Sequence, residues 1–301
     1  MSVTQTYRGR FAPTPSGPLH LGSLLTALAS HLQARTAGGT WLLRLDDLDS
    51  GRSTPEHAAT ILRQLEAHAL QWDEPPRLQS QHVDEYRDAF VRLQQLGLLF
   101  PCGCTRARLA RDSLPGVDGP VYAGTCRGEI VPGPHCAWRL RVGTGQLRLS
   151  DPWQGELRRD LERDIGDFVV RRADGIIGYQ LACTVDEVAQ GITEVVRGAD
   201  LIGSSFRQLY LQQVLGLAHP AYRHLPVLAA PDGLKLSKQN HATPIAAEHA
   251  GCNLYRCLEL LGQAPPAALR GAGAAETLRW GLQHWDPGRA PRRLQMTIEI
   301  T

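Results

Sequence analysis

The sequence predicts an α/β protein in which an insertion splits a nucleotide-binding domain with a parallel sheet, and a short helical region follows. Strand and helix patterns alternate at the start of the chain. Residues 101–145 are rich in Gly, Pro and Cys and show little periodicity. Strand and helix patterns return from residue 168 onward, so the sheet is expected to resume after the insertion.

The first four elements are expected to form a β-α-β-α series. Residues 7–11 have a strand pattern, and the Pro- and Gly-rich turn 12–18 separates them from a helix over residues 19–35. A second strand is expected at residues 41–45. Residues 53–56 then combine Ser, Thr, Pro and Glu in the order that begins a helix. Such alternation favours parallel strands.

A second group of elements is expected farther along the chain. A helical pattern over residues 83–96 ends at Gly97. After the insertion, strands are expected at residues 168–171, 176–184, 194–197 and 225–229, and a helix at 204–215. The residues beyond Gln239 are rich in Ala, Leu and Arg and are expected to form helices without strands.

The composition is that of a folded, enzyme-sized protein, with 301 residues of which 43% are hydrophobic and 21% charged. A net charge of +2 gives no global argument for nucleic-acid binding, so any RNA contact must be local. The sequence shows no signal-like start and no apolar stretch near the ~20 residues of a membrane span. We therefore expect a cytoplasmic protein, which we take to be a monomer.

Two separate segments have the chemistry of a nucleotide site. His20 and Gly22 lie in the first turn of a helix that follows a rigid turn, where free N–H groups and the helix dipole favour a phosphate. Lys235, Ser237 and Lys238 follow a Pro-Asp-Gly turn, and two ammonium groups on a loop can hold a pyrophosphate. Alone, the first is an ordinary helix start and the second a solvated surface loop. Together, in this order, they predict ATP binding.

These two segments resemble the two signatures of class I aminoacyl-tRNA synthetases. Residues 10–17, 43–49, 179–182 and 191–200 are also similar to glutamyl-tRNA synthetases, and the similar blocks cover most of residues 7–240. The chain is most similar to the short glutamyl-queuosine tRNA(Asp) synthetases of this family, which end soon after the lysine segment.

The sequence also departs from the family pattern. Asp46 stands where the family usually has Glu, and Leu236 and Gln239 replace the commoner Met and Ser.

The resemblance implies a division of the chain into four parts. Residues 1–101 and 146–240 would be the two halves of the Rossmann-like nucleotide-binding domain, residues 102–145 a zinc-bearing insertion, and residues 241–301 a helical stub without an anticodon-binding domain.

The resemblance further implies a glutamate pocket. Asp46 would hold the α-ammonium, Arg10 and Arg197 would hold carboxylate oxygens, and Tyr179 would add a hydroxyl. The pocket would comprise Arg10, Phe11, Ala12, Pro13, Thr14, Asp46, Tyr179 and Arg197. Other interpretations remain open: Arg197 as a structural ion pair with Glu194 or Asp200, Tyr179 as a core residue, and Asp47 or Asp49 as a helix cap.

The implied reaction is attack of the glutamate α-carboxylate on the α-phosphate of ATP with Mg²⁺ present, without any need for tRNA. His20 and Gly22 would face the α-phosphate, and Lys235 and Lys238 the leaving pyrophosphate. Glutamate would then pass to the queuosine base in the anticodon stem-loop of tRNA(Asp). A truncated glutamyl-tRNA synthetase that charges the 3′ end, and a non-catalytic RNA-binding relative, are the alternatives.

The cysteines indicate a metal site rather than disulfides. Their number, seven, is odd, and Cys102, Cys104 and Cys126 fall in one short segment. With Tyr122 they resemble the zinc site of the short family members, which implies one structural Zn²⁺. His135 or Cys136 are chemically possible fourth ligands, and free thiols are the alternative to a metal site.

Overall fold

The computed structural model describes residues 6–128, 135–233 and 243–299. The strands are β1 (Arg8–Phe11), β2 (Thr40–Leu45), β3 (Arg77–Leu78), β4 (Leu99–Cys102), β5 (Ala137–Leu140), β6 (Gln146–Asp151), β7 (Gly155–Asp160), β8 (Phe168–Arg171), β9 (Glu194–Gly198), β10 (Ala221–Leu225), β11 (Val227–Ala229) and β12 (Gln295–Thr297). The α-helices are α1 (Leu21–Thr36), α2 (Pro55–Ala67), α3 (Val83–Gln95), α4 (Arg106–Asp112), α5 (Tyr179–Ala189), α6 (Ile202–Leu215), α7 (Ala250–Leu260) and α8 (Ala274–His284).

Parallel strands form the centre of the molecule. β1 pairs with β2, and β2 pairs with β3, in both cases in parallel. β9 and β10 form a second parallel pair, which lies beside β1 because Thr193 N donates to Arg8 O at 2.9 Å. Both strand pairs therefore end at the same edge, where ligands of open α/β sheets bind.

Helix α1 covers the sheet because its inward face is apolar. Leu24, Leu25, Leu28 and Leu32 are all buried. Trp41 of β2 is fully buried, and its indole Nε1 donates to the Ser30 hydroxyl at 3.0 Å. This packing fixes the direction of α1, so its first turn stays at the carboxyl edge of the sheet.

The insertion and the strand after it share an antiparallel sheet. β5 pairs antiparallel with both β4 and β8, so β8 joins the sheet of the insertion rather than the central strands. β6 and β7 form an antiparallel hairpin. The insertion is thus held to the rest of the chain by main-chain hydrogen bonds at both of its ends.

Three expectations from the sequence differ from the structure. The segment 176–184 was expected to be a strand, but its residues 179–184 form the start of α5, in which burial extends from Leu181 to Glu187 over two turns of helix. The strand expected at 225–229 is divided at Pro226, which has no N–H for a ladder. β12, where no strand was expected, pairs in parallel with β11.

Within the three described ranges, no helix combines the length and the apolar character that crossing a membrane requires.

Candidate active site

A cavity of about 430 Å³ opens at the carboxyl ends of β1, β9 and β10. The residues that line it come from the turn after β1, the start of α1, the end of β9 and the segment after β10. Nine of the predicted site residues lie there together: Arg10, Phe11, Ala12, Pro13, Thr14, His20, Gly22, Tyr179 and Arg197.

The residues that were predicted to contact phosphate lie at the start of α1. His20 is the N-cap residue, and its Nδ1 accepts from Ser23 N at 3.4 Å while its Nε2 lies 3.1 Å from the Ser23 hydroxyl. A Cβ at Gly22 would approach the His20 ring to 3.1 Å, so glycine leaves the imidazole room in this turn. An anion in the cavity would therefore meet the N-terminus of a 16-residue helix.

Arg197 is a buried guanidinium that has no carboxylate partner within the described ranges. It is only 3% exposed, and its terminal nitrogens donate to neutral groups, Gln208 Oε1 at 2.9 Å and the Ser205 hydroxyl at 2.6 Å. Its Nε has no hydrogen-bond partner. A buried cation in this state is stabilised by an anionic ligand.

The alternative interpretations of Arg197 and Tyr179 do not match their surroundings. Glu194, a proposed ion-pair partner of Arg197, pairs instead with Arg223 at 2.9 Å and accepts from Tyr7 at 3.0 Å. Tyr179, proposed as a core residue, is 39% exposed at the first position of α5. Both side chains are thus available to a ligand in the cavity.

Arg10 lines the same cavity but differs from Arg197 in charge balance. Its Nε and NH2 contact the Glu187 carboxylate at 3.0 and 2.9 Å, and both side chains are nearly inaccessible. Burial alone would raise the pKa of Glu187, but the charges of Arg10 and Arg44 outweigh it and hold the pKa below its ordinary value. Glu187 is therefore ionised and anchors Arg10 from α5.

Asp46 does not line the cavity. Its Oδ1 accepts from Arg44 Nε at 2.7 Å, and its Oδ2 has only a 3.8 Å contact with the Cys183 thiol. Arg44 also contacts Glu187 at 3.2 Å, so Asp46 belongs to a buried network of alternating charges beneath the cavity. The shorter side chain, where the family has Glu, keeps the carboxylate in this network. Its binding of an α-ammonium stays a prediction.

The predicted lysine segment falls outside the described residues. Lys235, Ser237 and Lys238 lie within residues 234–242, for which no position is given. On the two sides of this segment, Leu228 lines the cavity and Pro244 forms a β-bridge with His20, which also lines it.

Two charged residues of the cavity were missed by the sequence analysis. Arg52 and Asp200 both line it. Arg52 follows the acidic motif of residues 46–49 and was assigned no role, and Asp200, within the motif 191–200, was named only as a possible ion-pair partner of Arg197. Their proximity to the cavity results from chain folding and has no sequence signal of its own.

A second cavity of about 490 Å³ separates the insertion from the first turns of α5 and α6. Tyr179 lines both cavities. Arg207 contributes a guanidinium with no hydrogen-bond or ion-pair partner among the residues the structure describes, and Gln180 contributes a buried Oε1 without a donor. Burial lowers the pKa of Arg207, against the raising effect of Asp118. This cavity offers an aromatic ring, a cation and an amide.

The predicted thiol ligands converge in the insertion. The sulfur atoms of Cys102, Cys104 and Cys126 lie within 4.8 Å of one another, and the Tyr122 hydroxyl is 3.5 Å from Cys102 Sγ and 3.8 Å from Cys104 Sγ. His135 and Cys136, although described, are not part of this group.

The surroundings of Cys102 favour its thiolate form. Burial alone would raise the pKa of Cys102, but hydrogen bonds from Arg139, at 3.3 Å, and Tyr122 outweigh it and lower the pKa to about 7. Three sulfurs and a phenol oxygen are a donor set suited to a tetrahedral metal ion. A metal is therefore compatible with the cluster.

The chain is similar to known synthetases in sequence and in fold. Residues 6–253 match the family model described as tRNA synthetases class I (E and Q), catalytic domain. The glutamyl-Q tRNA(Asp) synthetase of Dechloromonas aromatica (strain RCB) is 48% identical over 97% of this chain and 98% of that protein. The protein of the same name from Ectopseudomonas mendocina (strain ymp) is 49% identical over 96% of this chain and 97% of its own length.

A solved structure shares the fold at low sequence identity. A glutamate tRNA ligase from Elizabethkingia meningosepticum CCUG26117, in complex with its amino acid, superposes with a TM-score of 0.78 at 22% identity. The match covers 96% of this chain but only 66% of that chain. The fold is therefore that of class I glutamyl-tRNA synthetases.

Replacement of Glu187 by Gln should destabilise the protein at neutral pH. The substitution leaves two buried guanidinium groups without their shared carboxylate, a change that costs about 3–5 kcal/mol in comparable sites. The folded pKa of Glu187 lies below its ordinary value of 4.5, so its contribution is present above that pH and is lost as the pH falls through the lower folded value.

Urea unfolding of wild type and Glu187→Gln at a series of pH values measures this difference. The difference in the free energy of unfolding between the two proteins should be largest at pH 7 and should decrease below pH ~4.5. Glu66→Gln, at an exposed position of α2, serves as the matched control and should leave the free energy of unfolding unchanged. A difference that is independent of pH would contradict the assigned ionisation.

Proposed function

The chain belongs to the family of glutamyl-Q tRNA(Asp) synthetases, ATP-dependent ligases of class I, and from this premise we propose that it activates glutamate and transfers it to the queuosine base of tRNA(Asp). The observation that carries the proposal is the buried Arg197 guanidinium that lines the first cavity and has no carboxylate partner among the described residues. The choice of queuosine in tRNA(Asp) as the group that receives glutamate rests on the names of the relatives.

Arg197 would bind the side-chain carboxylate of glutamate. A guanidinium only donates hydrogen bonds, so the amide N–H₂ of glutamine would face a donor and be rejected. Tyr179 would add a hydroxyl, and Arg10, held by Glu187, would face the second carboxylate. For the α-ammonium we retain Asp46, whose Oδ2 has no partner stronger than the Cys183 thiol.

ATP would bind where α1 begins. His20 and the free N–H groups of the first turn would hold the α-phosphate while the glutamate α-carboxylate attacks it in line. Pyrophosphate leaves, and Lys235, Ser237 and Lys238 would stabilise the charge that grows on it, with Mg²⁺ neutralising the phosphates. No protein nucleophile is needed, so catalysis rests on positioning and electrostatics.

The second cavity would receive the acceptor nucleoside. It adjoins the glutamate cavity through Tyr179, so a hydroxyl entering from this side can reach an adenylate. Arg207 would bind a phosphate or the base, Gln180 would accept a hydrogen bond, and the exposed Tyr179 ring can stack on a base. A cyclopentene-diol hydroxyl of queuosine would attack the carbonyl carbon of the glutamyl-adenylate as a ribose hydroxyl does. An ester forms, the hydroxyl loses its proton, and AMP leaves.

We also propose the four-part division of the chain at residues 101, 145 and 240, with residues 241–301 as the last part. In the described part of that last segment, α7 packs against α1 and α8 against α7. A monomer with one catalytic domain would engage one stem-loop of the tRNA at a time.

Glutamate-dependent pyrophosphate exchange should proceed without tRNA, and labelled glutamate should then appear on tRNA(Asp) that contains queuosine. Nuclease mapping of the label distinguishes the anticodon from the 3′ end, and tRNA(Asp) lacking queuosine is the control. Pyrophosphate exchange that requires tRNA, or label on the 3′ adenosine, would instead favour a truncated glutamyl-tRNA synthetase that charges the 3′ end. The absence of any exchange would favour a non-catalytic relative.

Arg207→Ala should separate the two half-reactions. Exchange should stay within about twofold of wild type because the second cavity does not hold ATP or glutamate, whereas transfer to tRNA(Asp) should fall at least tenfold, about 1.4 kcal/mol. Arg87→Ala, an exposed arginine of α3 outside this cavity, is the control. Equal transfer rates in both variants would remove Arg207 from the acceptor site.

We propose one structural Zn²⁺ per chain, held by Cys102, Cys104, Tyr122 and Cys126. These donors close a small knuckle whose apolar core among described residues is limited to a few side chains around Phe100. All four positions are protein ligands, so the ion would stabilise the insertion rather than take part in the reaction.

Elemental analysis should find about one zinc per wild-type chain and much less in Cys104→Ser. Cys252→Ser, at an exposed cysteine outside the cluster, should retain the metal. Tyr122→Phe tests the fourth ligand. If this variant retains zinc, the fourth ligand is a donor other than the Tyr122 hydroxyl. Equal zinc in wild type and Cys104→Ser would contradict the site.

A further inference from the structure

A buried series of hydrogen-bonded side chains connects Arg197 to the β6–β7 hairpin, which follows the insertion. His224 of β10 is the register partner of Arg197 of β9, so the two side chains are neighbours on one face of the sheet. The His224 Nδ1 lies 2.7 Å from Asp151 Oδ2, and its Nε2 lies 2.6 Å from the Ser205 hydroxyl. That hydroxyl in turn accepts from Arg197 at 2.6 Å.

The hydrogen bonds of this series of side chains have one consistent direction. Burial lowers the pKa of His224, against the raising effect of Asp151, so the imidazole is neutral at pH 7. Since an ionised carboxylate only accepts, Nδ1 carries the proton and donates to Asp151, and Nε2 accepts from the Ser205 O–H at 2.6 Å, which is shorter than the 3.1 Å from that hydroxyl to the Leu201 carbonyl oxygen. The Ser205 oxygen is then left with lone pairs for Arg197.

Asp151 is the fixed end of this series of hydrogen-bonded side chains. It is only 2% exposed, and besides His224 Nδ1 its carboxylate accepts three backbone N–H groups, from Trp153 at 2.7 Å, Gln154 at 3.1 Å and His224 itself at 2.9 Å. The serine and the imidazole are fully buried as well. Every link is therefore fixed by packing and satisfied in hydrogen bonds.

We propose that Asp151, His224 and Ser205 are positioning residues that hold the Arg197 guanidinium in the orientation that receives the glutamate side chain. This inference rests on the proposed role of Arg197 and goes beyond it, because none of the three residues lines the cavity. The Ser205 and Gln208 contacts hold the two terminal nitrogens and leave Nε free. Pre-organisation of this kind strengthens binding by reducing the ordering required when the ligand arrives.

Ser205→Ala should raise the KM for glutamate about tenfold and leave the KM for ATP within twofold, both measured by pyrophosphate exchange. In an Arg197→Gln background, the same substitution should have no further effect on the KM for glutamate, because it acts only through Arg197. His224→Gln keeps a hydrogen-bond acceptor near Ser205 but loses the hydrogen bond between the imidazole and Asp151. This variant should therefore raise the KM for glutamate by less than Ser205→Ala does.

Ser30→Ala is the matched control for loss of a buried helical hydroxyl. Ser30 is 1% exposed and accepts from Trp41 Nε1 at 3.0 Å, so its loss should lower stability and leave the KM for glutamate unchanged. If Ser205→Ala leaves the KM for glutamate at the wild-type value, raises both KM values alike, or adds in full to Arg197→Gln, the positioning role is wrong.

A readout that is independent of activity separates this inference from the proposed function. In protein labelled with ¹⁵N-arginine, the Arg197 terminal N–H groups should be slowly exchanging in wild type and averaged by rotation in Ser205→Ala. A wild type without glutamate-dependent exchange would overturn the proposed function while this measurement still supports positioning. Identical Arg197 signals in wild type and Ser205→Ala would overturn the positioning role itself.

Discussion

The buried positive charge of Arg197 is the constraint on which the candidate active site depends. Arg10 and Arg44 are equally buried, but Glu187 and Asp46 neutralise them within a closed network. Among the described residues, Arg197 donates hydrogen bonds only to the neutral acceptors Gln208 and Ser205 and has no ion-pair partner, so the free protein bears the desolvation cost of one guanidinium. A ligand carboxylate would relieve this cost, so the same buried charge that lines the cavity would also select an anionic ligand.

Helix α5 connects the parts of the site because its two ends serve different purposes. Tyr179, at its first position, lies between the two cavities, whereas Glu187, two turns later, anchors Arg10 and Arg44 in the buried network. Any displacement of α5 along its axis would therefore disturb both the first cavity and its boundary with the second cavity. This arrangement explains why buried ion pairs, which add little net stability by themselves, are placed here.

The insertion contributes to the site from a distance. It supplies the cysteine cluster and one wall of the second cavity, and the hairpin that follows supplies Asp151, which reaches His224 beneath the central strands. Because β5 also pairs with β8, the insertion cannot move without affecting the strand that precedes α5. The cysteine cluster, the cavity wall and the hairpin that follows the insertion therefore form one structural support for the candidate active site.

The sequence by itself determined the parts that local chemistry dictates: the rigid turn before His20, the parallel β-α-β opening, the cysteine spacing and the motifs that identify the family. It did not distinguish helix from strand over residues 176–184, since a short apolar run satisfies both periodicities until burial selects one. Only the tertiary structure decided that Asp46 pairs with Arg44 away from the cavity and that Asp151 meets His224, 73 residues away. Partners of buried charges are chosen by the register and packing of distant segments, and no pattern along the chain encodes that choice.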